Sequence, residues 1–305
     1  NAGFFNTSGG YNNFFGINAG YFNTTGSSNN FLGLCAGYCN TTGSCNNMIG
    51  LGAGQCATVT GQHNTFLGTY AGKCASGSGS CNNFIGNSAG YCNTTGTHNN
   101  FLGLNAGCSN TTGTSNNFFG RSAGRSNTTG SCNNMIGVGA GKCATVTGQH
   151  NTFLGTYAGK CASGSGNYNN FFGRYAGFNN TTGSYNNFLG SLAGYTNTTG
   201  CYNNFLGLSA GRCNTTGCFN NFFGSSAGYF NTTGTHNNFL GSQAGSSNTT
   251  GSGNNFLGNS AGRCNTTGSS NNFLGNGAGQ LNTTGSCNNM IGFGAGQCAT
   301  VTGQH

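Results

Sequence analysis

Asn29-Asn30-Phe31-Leu32-Gly33 returns with little change along the whole chain, for example at 99–103 and at 271–275. It opens a longer repeat, Asn-Asn-Phe-Leu-Gly-x-x-Ala-Gly-x-x-Asn-Thr-Thr-Gly-x-x. Equivalent glycines lie 17 residues apart, or 18 where a turn is one residue longer. Repetition this strict is typical of architectures in which each repeat contacts only its neighbours. The sequence therefore predicts a single continuous repeat array over residues 1–305, and we expect it to be a fragment of a longer fibrous chain.

The composition argues against several classes of protein. The 305 residues include 61 Gly, no Pro, and neither Asp nor Glu. Fixed glycine positions distinguish the chain from disordered sequences, and glycine spacings other than three exclude collagen. Without side-chain carboxylates we expect no enzyme and no cofactor. The formal charge of +8 is too dilute for a nucleic-acid partner, and no apolar run approaches the ~20 residues of a membrane segment.

The repeat length favours strands over helices. Each unit is too short for a helix pair, and each glycine would weaken a helix by about 1 kcal/mol relative to alanine. Short strands between glycine turns can instead stack in register about 4.8 Å apart. We therefore predict an all-β fold, a parallel β-solenoid with one 17–18-residue repeat per coil. The Phe rings should stack in a continuous ladder, and the Asn pairs should hydrogen-bond from coil to coil.

The adjacent apolar pair Phe31-Leu32 predicts a surface as well as a core. Consecutive side chains of a strand point to opposite faces, so Leu32 faces outward if Phe31 faces inward. A long apolar row on a soluble protein is expected to be covered. We therefore expect self-association of identical chains, as a trimer or a bundled fibre. In the alternative interpretation the chain bends at Gly33 and both side chains point inward.

The stretch 29–37, Asn-Asn-Phe-Leu-Gly-x-x-Ala-Gly, resembles the repeat of trimeric autotransporter adhesin heads. With its Asn-Thr-Thr-Gly turns, the chain is similar to the repeat arrays of phage-type tail-fibre and bacterial surface fibre proteins. The resemblance implies a left-handed β-roll, often trimeric, that serves as a stalk or adhesive head. The longer period and the 17 cysteines depart from those families.

Nine cysteines share one position, the second residue after Ala-Gly. They are Cys39, Cys56, Cys74, Cys92, Cys143, Cys161, Cys213, Cys264 and Cys298. Equivalent residues of neighbouring coils lie about 4.8 Å apart, inside the Cα window of a disulfide. The disulfide candidates are therefore Cys39 with Cys56, Cys74 with Cys92, and Cys143 with Cys161. Pairing within a coil, such as Cys39 with Cys45, or between chains stays open.

A second row, two residues after the turn glycine, reads Cys45, His63, Cys81, His98 in successive coils. Cys and His in alternation suggest a metal ladder, but one row of ligands does not build a tetrahedral cage. Tyr168 and other unrelated residues occupy the same row. We therefore expect no metal site.

Thirteen turns fit the N-glycosylation acceptor pattern, as Asn-Thr-Thr or Asn-Thr-Ser. Asn and Thr also favour turns for backbone reasons, so glycans are a possible partner and not a requirement. The candidates are Asn6, Asn23, Asn40, Asn93, Asn110, Asn127, Asn180, Asn197, Asn214, Asn231, Asn248, Asn265 and Asn282.

These features predict a non-enzymatic structural protein that forms an extracellular fibre or stalk, at a cell or virion surface, for extension, coating or attachment. The alternative is a ligand-binding surface. Regularly spaced Thr turns could bind ice, and a row of tyrosines could mediate carbohydrate or receptor adhesion. The tyrosines of that row are Tyr21, Tyr38, Tyr91, Tyr195 and Tyr229.

Overall fold

The computed structural model describes residues 1–56, 60–143, 147–162 and 164–297. The chain divides into two compact units, Asn1–Asn151 and Thr152–His305. Each unit is a stack of coils in which one repeat makes one turn, and no helix occurs within the described residues. The predicted all-β parallel solenoid with one repeat per coil is thereby confirmed. Its left-handedness stays a prediction.

Every coil contributes one strand of three residues, centred on the buried Phe or Met. The first unit contains β1 Asn13–Phe15, β2 Asn30–Leu32, β3 Asn47–Ile49, β4 Thr65–Leu67, β5 Asn83–Ile85, β6 Asn100–Leu102, β7 Asn117–Phe119 and β8 Asn134–Ile136. The second unit contains β9 Thr152–Leu154, β10 Asn170–Phe172, β11 Asn187–Leu189, β12 Asn204–Leu206, β13 Asn221–Phe223, β14 Asn238–Leu240, β15 Asn255–Leu257, β16 Asn272–Leu274 and β17 Asn289–Ile291. Most of the remaining described residues form turns, bends or irregular segments.

Within each unit, neighbouring strands pair in parallel and in register. Phe31 of β2 lies opposite Phe14 of β1 and Met48 of β3 in the first unit. Phe188 of β11 lies opposite Phe171 and Phe205 in the second. Each residue therefore stacks on the equivalent residue of the next repeat.

The apolar half of the core consists of the Phe row and the invariant Ala-Gly pair. Phe188 is fully buried, and its ring centroid lies 4.9 Å from that of Phe171 and 4.8 Å from that of Phe205. Ala193 is also fully buried. A Cβ atom on Gly194 would collide with the Phe188 ring, and its φ of +56° disfavours any side chain. The Ala-Gly pair is therefore fixed by the ring that it covers.

The other half of the core consists of asparagines whose amides bond between coils. The Asn214 side-chain NH2 donates to Asn197 Oδ1 at 2.7 Å and to the Gly217 carbonyl at 3.0 Å. The Asn203 side chain donates to the same carbonyl at 2.8 Å. Both Asn203 and Asn214 are fully buried. These bonds compensate the loss of water, so a core that is half polar is stable.

The turn-asparagine ladder is interrupted where the turn lengthens. The repeat that follows Asn40 has Ala57 in place of the asparagine, and the repeat that follows Asn127 has Ala144. The Oδ1 atoms of Asn40 and Asn127 are buried and have no hydrogen-bond partner within the part of the chain that the structure describes. The turn-asparagine ladder is therefore divided into segments.

Besides the glycine of Ala-Gly, two residues of each coil adopt the left-handed conformation. One precedes the Ala-Gly pair, as Leu192 does, and the other is the second residue after the turn glycine, as Tyr202 is. Their non-glycine members have φ between 55° and 62°. Neither row contains Val, Ile or Thr, although Thr is abundant elsewhere in the repeat. A β-branched side chain is strained in this region, which explains the exclusion.

This exclusion predicts the response to a pair of substitutions at Ser226, whose φ is 56°. Ser226→Gly should leave the free energy of unfolding unchanged or raise it, whereas Ser226→Val should lower it by about 1–3 kcal/mol relative to the glycine variant. Urea denaturation measures both. The control is Ser225→Val, one residue away, in a row that already contains Val138. Equal destabilisation by the two valines would contradict the explanation.

Candidate functional site

The outer apolar row is formed by the residue that follows the buried Phe or Met in each strand. Phe31 is fully buried, whereas Leu32 beside it is 39% exposed. The predicted outward apolar row is confirmed, and the alternative bend at Gly33 that turns both side chains inward is wrong. Its exposed members in the first unit are Phe15, Leu32, Ile49, Leu67, Leu102, Phe119 and Ile136. Those in the second are Leu154, Leu189, Phe223, Leu240, Leu257, Leu274 and Ile291.

The apolar surface is wider in the first unit than in the second. In the first unit, the residue after the strand glycine is often a second exposed apolar side chain. These residues are Ile17, Leu34, Leu51, Leu104 and Val138. In the second unit the same position is mostly polar, as at Arg174, Ser191 and Ser225, with Leu208 and Phe293 as exceptions. The first unit therefore offers two adjacent apolar rows.

Three of the tyrosines considered for adhesion stack on a ring of a neighbouring coil. The ring of Tyr21 lies 5.2 Å from that of Tyr38 at an interplanar angle of 12°. Tyr195 stacks on Phe178 at 5.0 Å. Arg212 donates a hydrogen bond to the Tyr229 hydroxyl. Stacking covers ring faces that a sugar would need at Tyr21, Tyr38 and Tyr195.

An exposed ring ladder in the second unit was not predicted from the sequence. It comprises Tyr168, Tyr185, Tyr202, Phe219 and His236, with successive centroids 4.9–5.0 Å apart. The signal was five ring-bearing residues at successive repeats of one position. In other repeats this position holds unrelated residue types, so the row as a whole does not predict a ring ladder.

The cysteine candidates of the first unit lie in neighbouring coils, as predicted. The Cys39 backbone N–H donates to the carbonyl of Gln55, the residue before Cys56, at 3.3 Å. Burial, and then the neighbouring thiol of Cys56, raise the pKa of the Cys39 thiol. Burial also raises the pKa of Cys92, with smaller contributions from Cys108 and Cys74.

No predicted disulfide pair is bonded in the structure. The described cysteines all carry free thiols, and Cys298 lies outside the described residues. Cys143 belongs to the first unit and Cys161 to the second. The three proposed disulfides therefore stay predictions.

The Cys-His row does not assemble a metal site. Cys45, His63, Cys81 and His98 all take the left-handed conformation, with φ between 56° and 59°. In the described ranges, no three His or Cys side chains come close enough together to hold a metal ion.

The asparagines of the glycosylation pattern point into the coil. From Asn23 to Asn282 their side chains are at most 1% exposed, and only Asn6 of the set is exposed. The amide nitrogen that would carry the glycan is already bonded: Asn248 Nδ2 donates to Asn231 Oδ1 at 2.8 Å and to the Gly251 carbonyl at 2.9 Å. N-glycosylation of these turns stays a prediction, and in the folded coil a sugar there would replace core contacts. Asn179, which also fits the pattern, is half-buried and lies outside this row.

The residue directly after the turn glycine is Ser or Thr in many repeats, and we call this set of residues the hydroxyl row. Ser44 Oγ accepts a hydrogen bond from the Ser27 backbone N–H at 3.0 Å, and Ser252 Oγ accepts one from Thr235 at 3.0 Å. The row therefore satisfies one backbone donor of the preceding coil. Sequence reasoning did not assign it a role.

A scan against protein-family models finds no match for this chain. A search of curated proteins also finds no significant match. Within the described residues, no helix has the length and apolar character needed to cross a membrane.

The titratable groups predict an asymmetric pH dependence of stability. Acid should have little effect, because the sequence has no Asp or Glu whose protonation could drive unfolding. Burial raises the pKa of Cys39, Cys92 and Cys108 above the usual 9.0. A hydrogen bond with Cys74, together with burial, raises the pKa of Tyr91 to about 12.

Because these groups release protons more readily in the unfolded chain, their contribution to stability is present below pH 9 and is lost as the pH rises through the folded-state values. Thermal melts followed by circular dichroism should show a constant midpoint from pH 3 to pH 8 and a decline above pH 9. Cooperative unfolding between pH 3 and pH 6 would contradict this prediction.

Proposed function

We propose that this chain is a non-enzymatic structural protein of an extracellular fibre or stalk, in which solenoid units associate laterally through the outer apolar row. The observation that carries the proposal is the placement of Leu32, Leu102, Leu189 and their equivalents on the outside of successive coils. An apolar row of this extent on a soluble protein indicates an interaction surface. Identical chains would present matching rows, so self-association covers the surface without another partner.

The repetition of the surface supports a structural role over a catalytic one. Each coil presents nearly the same side chains as its neighbours, whereas catalysis needs one constellation of groups that differs from its surroundings. The chain also lacks the carboxylates on which most acid–base catalysis depends. A location outside the cell is supported by the 17 cysteines, because cysteine-rich sequences are common in oxidising compartments.

The energy available from the outer row is sufficient for association. Leu189 is 40% exposed, so full burial would remove the remaining two-fifths of its surface from water. Since complete burial of a leucine contributes about 1.5–3 kcal/mol, each residue would contribute about 0.6–1.2 kcal/mol on association. Several coils together can therefore offset the entropy that two chains lose on binding.

Sedimentation velocity tests this proposal with a triple variant of the first unit, Leu32→Thr, Leu67→Thr and Leu102→Thr. The wild-type chain should sediment as an oligomer, and the variant should dissociate with a dissociation constant raised at least about tenfold, because 1.4 kcal/mol corresponds to a factor of ten. Threonine suits a strand, so the coil should remain folded.

A matched control removes exposed apolar surface from a different row. Phe22→Thr, Phe230→Thr and Leu281→Thr alter residues that are 38%, 52% and 44% exposed, in a row that already contains Thr196. This control should associate like the wild type. A monomeric wild-type chain at all concentrations, or equal dissociation of the two triple variants, would refute association through the outer row.

Ice binding is the second candidate, favoured by an exposed row of threonines that includes Thr25, Thr112 and Thr216. The hydroxyl of the preceding threonine already makes a hydrogen bond to the next coil. The Thr181 hydroxyl, for example, donates to the Thr198 carbonyl at 3.0 Å. One free row is less than the flat face of regular hydroxyls that ordering of ice requires. A thermal-hysteresis measurement distinguishes the candidates, since activity would favour ice binding and its absence together with oligomers would favour the fibre.

A further inference from the structure

The hydroxyl row of the second unit changes chemistry in two consecutive coils. Its members Ser184 and Ser252 use an oxygen to accept the backbone N–H of the preceding coil, as Ser184 does for Asn167 at 3.0 Å. Cys201 and Cys218 replace the oxygen with sulfur. Two thiols therefore lie where the fold elsewhere places two hydroxyls.

The backbone brings these two thiols together. The Cys201 N–H donates to Cys218 Sγ at 3.1 Å, and the two side chains lie within hydrogen-bonding distance of each other. Each thiol also contacts a carbonyl of its own coil, Cys201 that of Thr199 at 3.2 Å and Cys218 that of Thr216 at 3.4 Å. Both residues are half-buried, so a small reagent can reach them.

This pair differs from the other cysteines described in the second unit. Those are Cys161, Cys213, Cys264 and Cys287. Within the second unit, the neighbouring described coils have Asn179 opposite Cys161, Thr196 and Phe230 opposite Cys213, and Ser247 and Leu281 opposite Cys264. Cys287 follows Ser270 in its row. Only Cys201 and Cys218 occupy equivalent positions of adjacent described coils in this unit.

We propose that Cys201 and Cys218 are a disulfide-forming pair that a low-molecular-weight disulfide, such as oxidised glutathione, converts to a covalent link between two coils. One thiolate attacks the reagent, forms a mixed disulfide and releases one reagent thiol. The second cysteine then attacks the protein sulfur and releases the other. The two cysteines lose two electrons and two protons, and the reagent disulfide is reduced to two thiols.

The fold favours the link over separate modification of the two cysteines. In-register stacking places equivalent Cα atoms about 4.8 Å apart, within the range of disulfides. The bond requires the two thiols to give up their contacts with the Thr199 and Thr216 carbonyls. The sulfurs remain beside the Ser184 and Cys201 N–H groups. Formation of this disulfide does not require the chains to associate into the proposed fibre, because both cysteines belong to one chain.

Burial raises the pKa of the Cys218 thiol. Attack by this thiol should therefore accelerate as the pH rises above the usual thiol range, because the thiolate is the attacking species.

The test uses full-length protein carrying Cys213→Ser. Serine occupies the equivalent position at Ser109, so the coil should tolerate it. Cleavage after Arg174, Arg212 and Arg263 then yields fragments 175–212 and 213–263 with one cysteine each, Cys201 and Cys218. The reduced protein is incubated with oxidised glutathione, blocked with N-ethylmaleimide in acid, unfolded, digested with trypsin and analysed by mass spectrometry.

We expect a cross-linked peptide lighter by two hydrogens than the sum of the two fragments, about tenfold more abundant than either glutathione adduct, because the paired thiols have a high effective concentration. The cross-link should disappear on reduction. Recovery of Cys201 and Cys218 as separate glutathione adducts, or as maleimide-blocked thiols, would overturn the proposal.

The control moves one thiol by a single residue. In the C213S background, C218S together with F219C keeps one cysteine in each fragment but places the second in the exposed ring ladder. That row accepts cysteine elsewhere, as at Cys45, and serine at 218 restores the usual hydroxyl. The cross-link should fall at least about tenfold. An equal yield would show that stacking in register does not drive the bond, and would also overturn the proposal.

Discussion

In-register pairing between parallel coils is the constraint on which every other feature of each unit depends. Pairing such as that of Phe188 with Phe171 and Phe205 makes each side chain contact its own equivalents above and below. A row of like residues is favourable only if that residue can interact with copies of itself. Phe rings satisfy this condition by stacking, and Asn amides do so because each carries both a donor and an acceptor. Like charges would repel, which fits a chain with 3% charged residues.

The same constraint explains the conformations that the repeat accepts. Three-residue strands supply little apolar surface, so Asn203 and Asn214 complete the core by bonding to the backbone of the turn. The closing of so short a coil also requires two left-handed residues besides the glycines. Stability therefore depends as much on hydrogen-bonded turns as on apolar burial. The cysteine rows lie outside this core of Phe, Ala and Asn side chains.

The sequence predicted the coil well because its two strongest signals, the period and the strand alternation, are local. The 17-residue step placed Phe31 inward and Leu32 outward. Asn248 fits the glycosylation acceptor pattern, but such a pattern does not indicate the direction of a side chain, and the Asn248 amide bonds inward to the backbone of its turn. The single continuous array over residues 1–305 stays a prediction: the sequence does not mark the division after Asn151, since 147–155 is identical to 60–68. The pairing of Cys201 with Cys218 gave little signal in the sequence, because their row otherwise contains mostly Ser and Thr.

The equivalence of successive coils has a genetic consequence. Because the upper and lower faces of a coil such as 186–202 present the same rows, removing one whole repeat rejoins two surfaces that already fit. Loss or gain of 51 nucleotides, which encode 17 residues, would preserve the reading frame and every stacking row. Insertion of one residue within a strand would instead move side chains to the opposite face, whereas the 18-residue repeats carry their extra residue in the turn and keep the strands in register. The fold would therefore accommodate slippage between near-identical DNA repeats, and the number of coils could change in whole steps without redesign of the core.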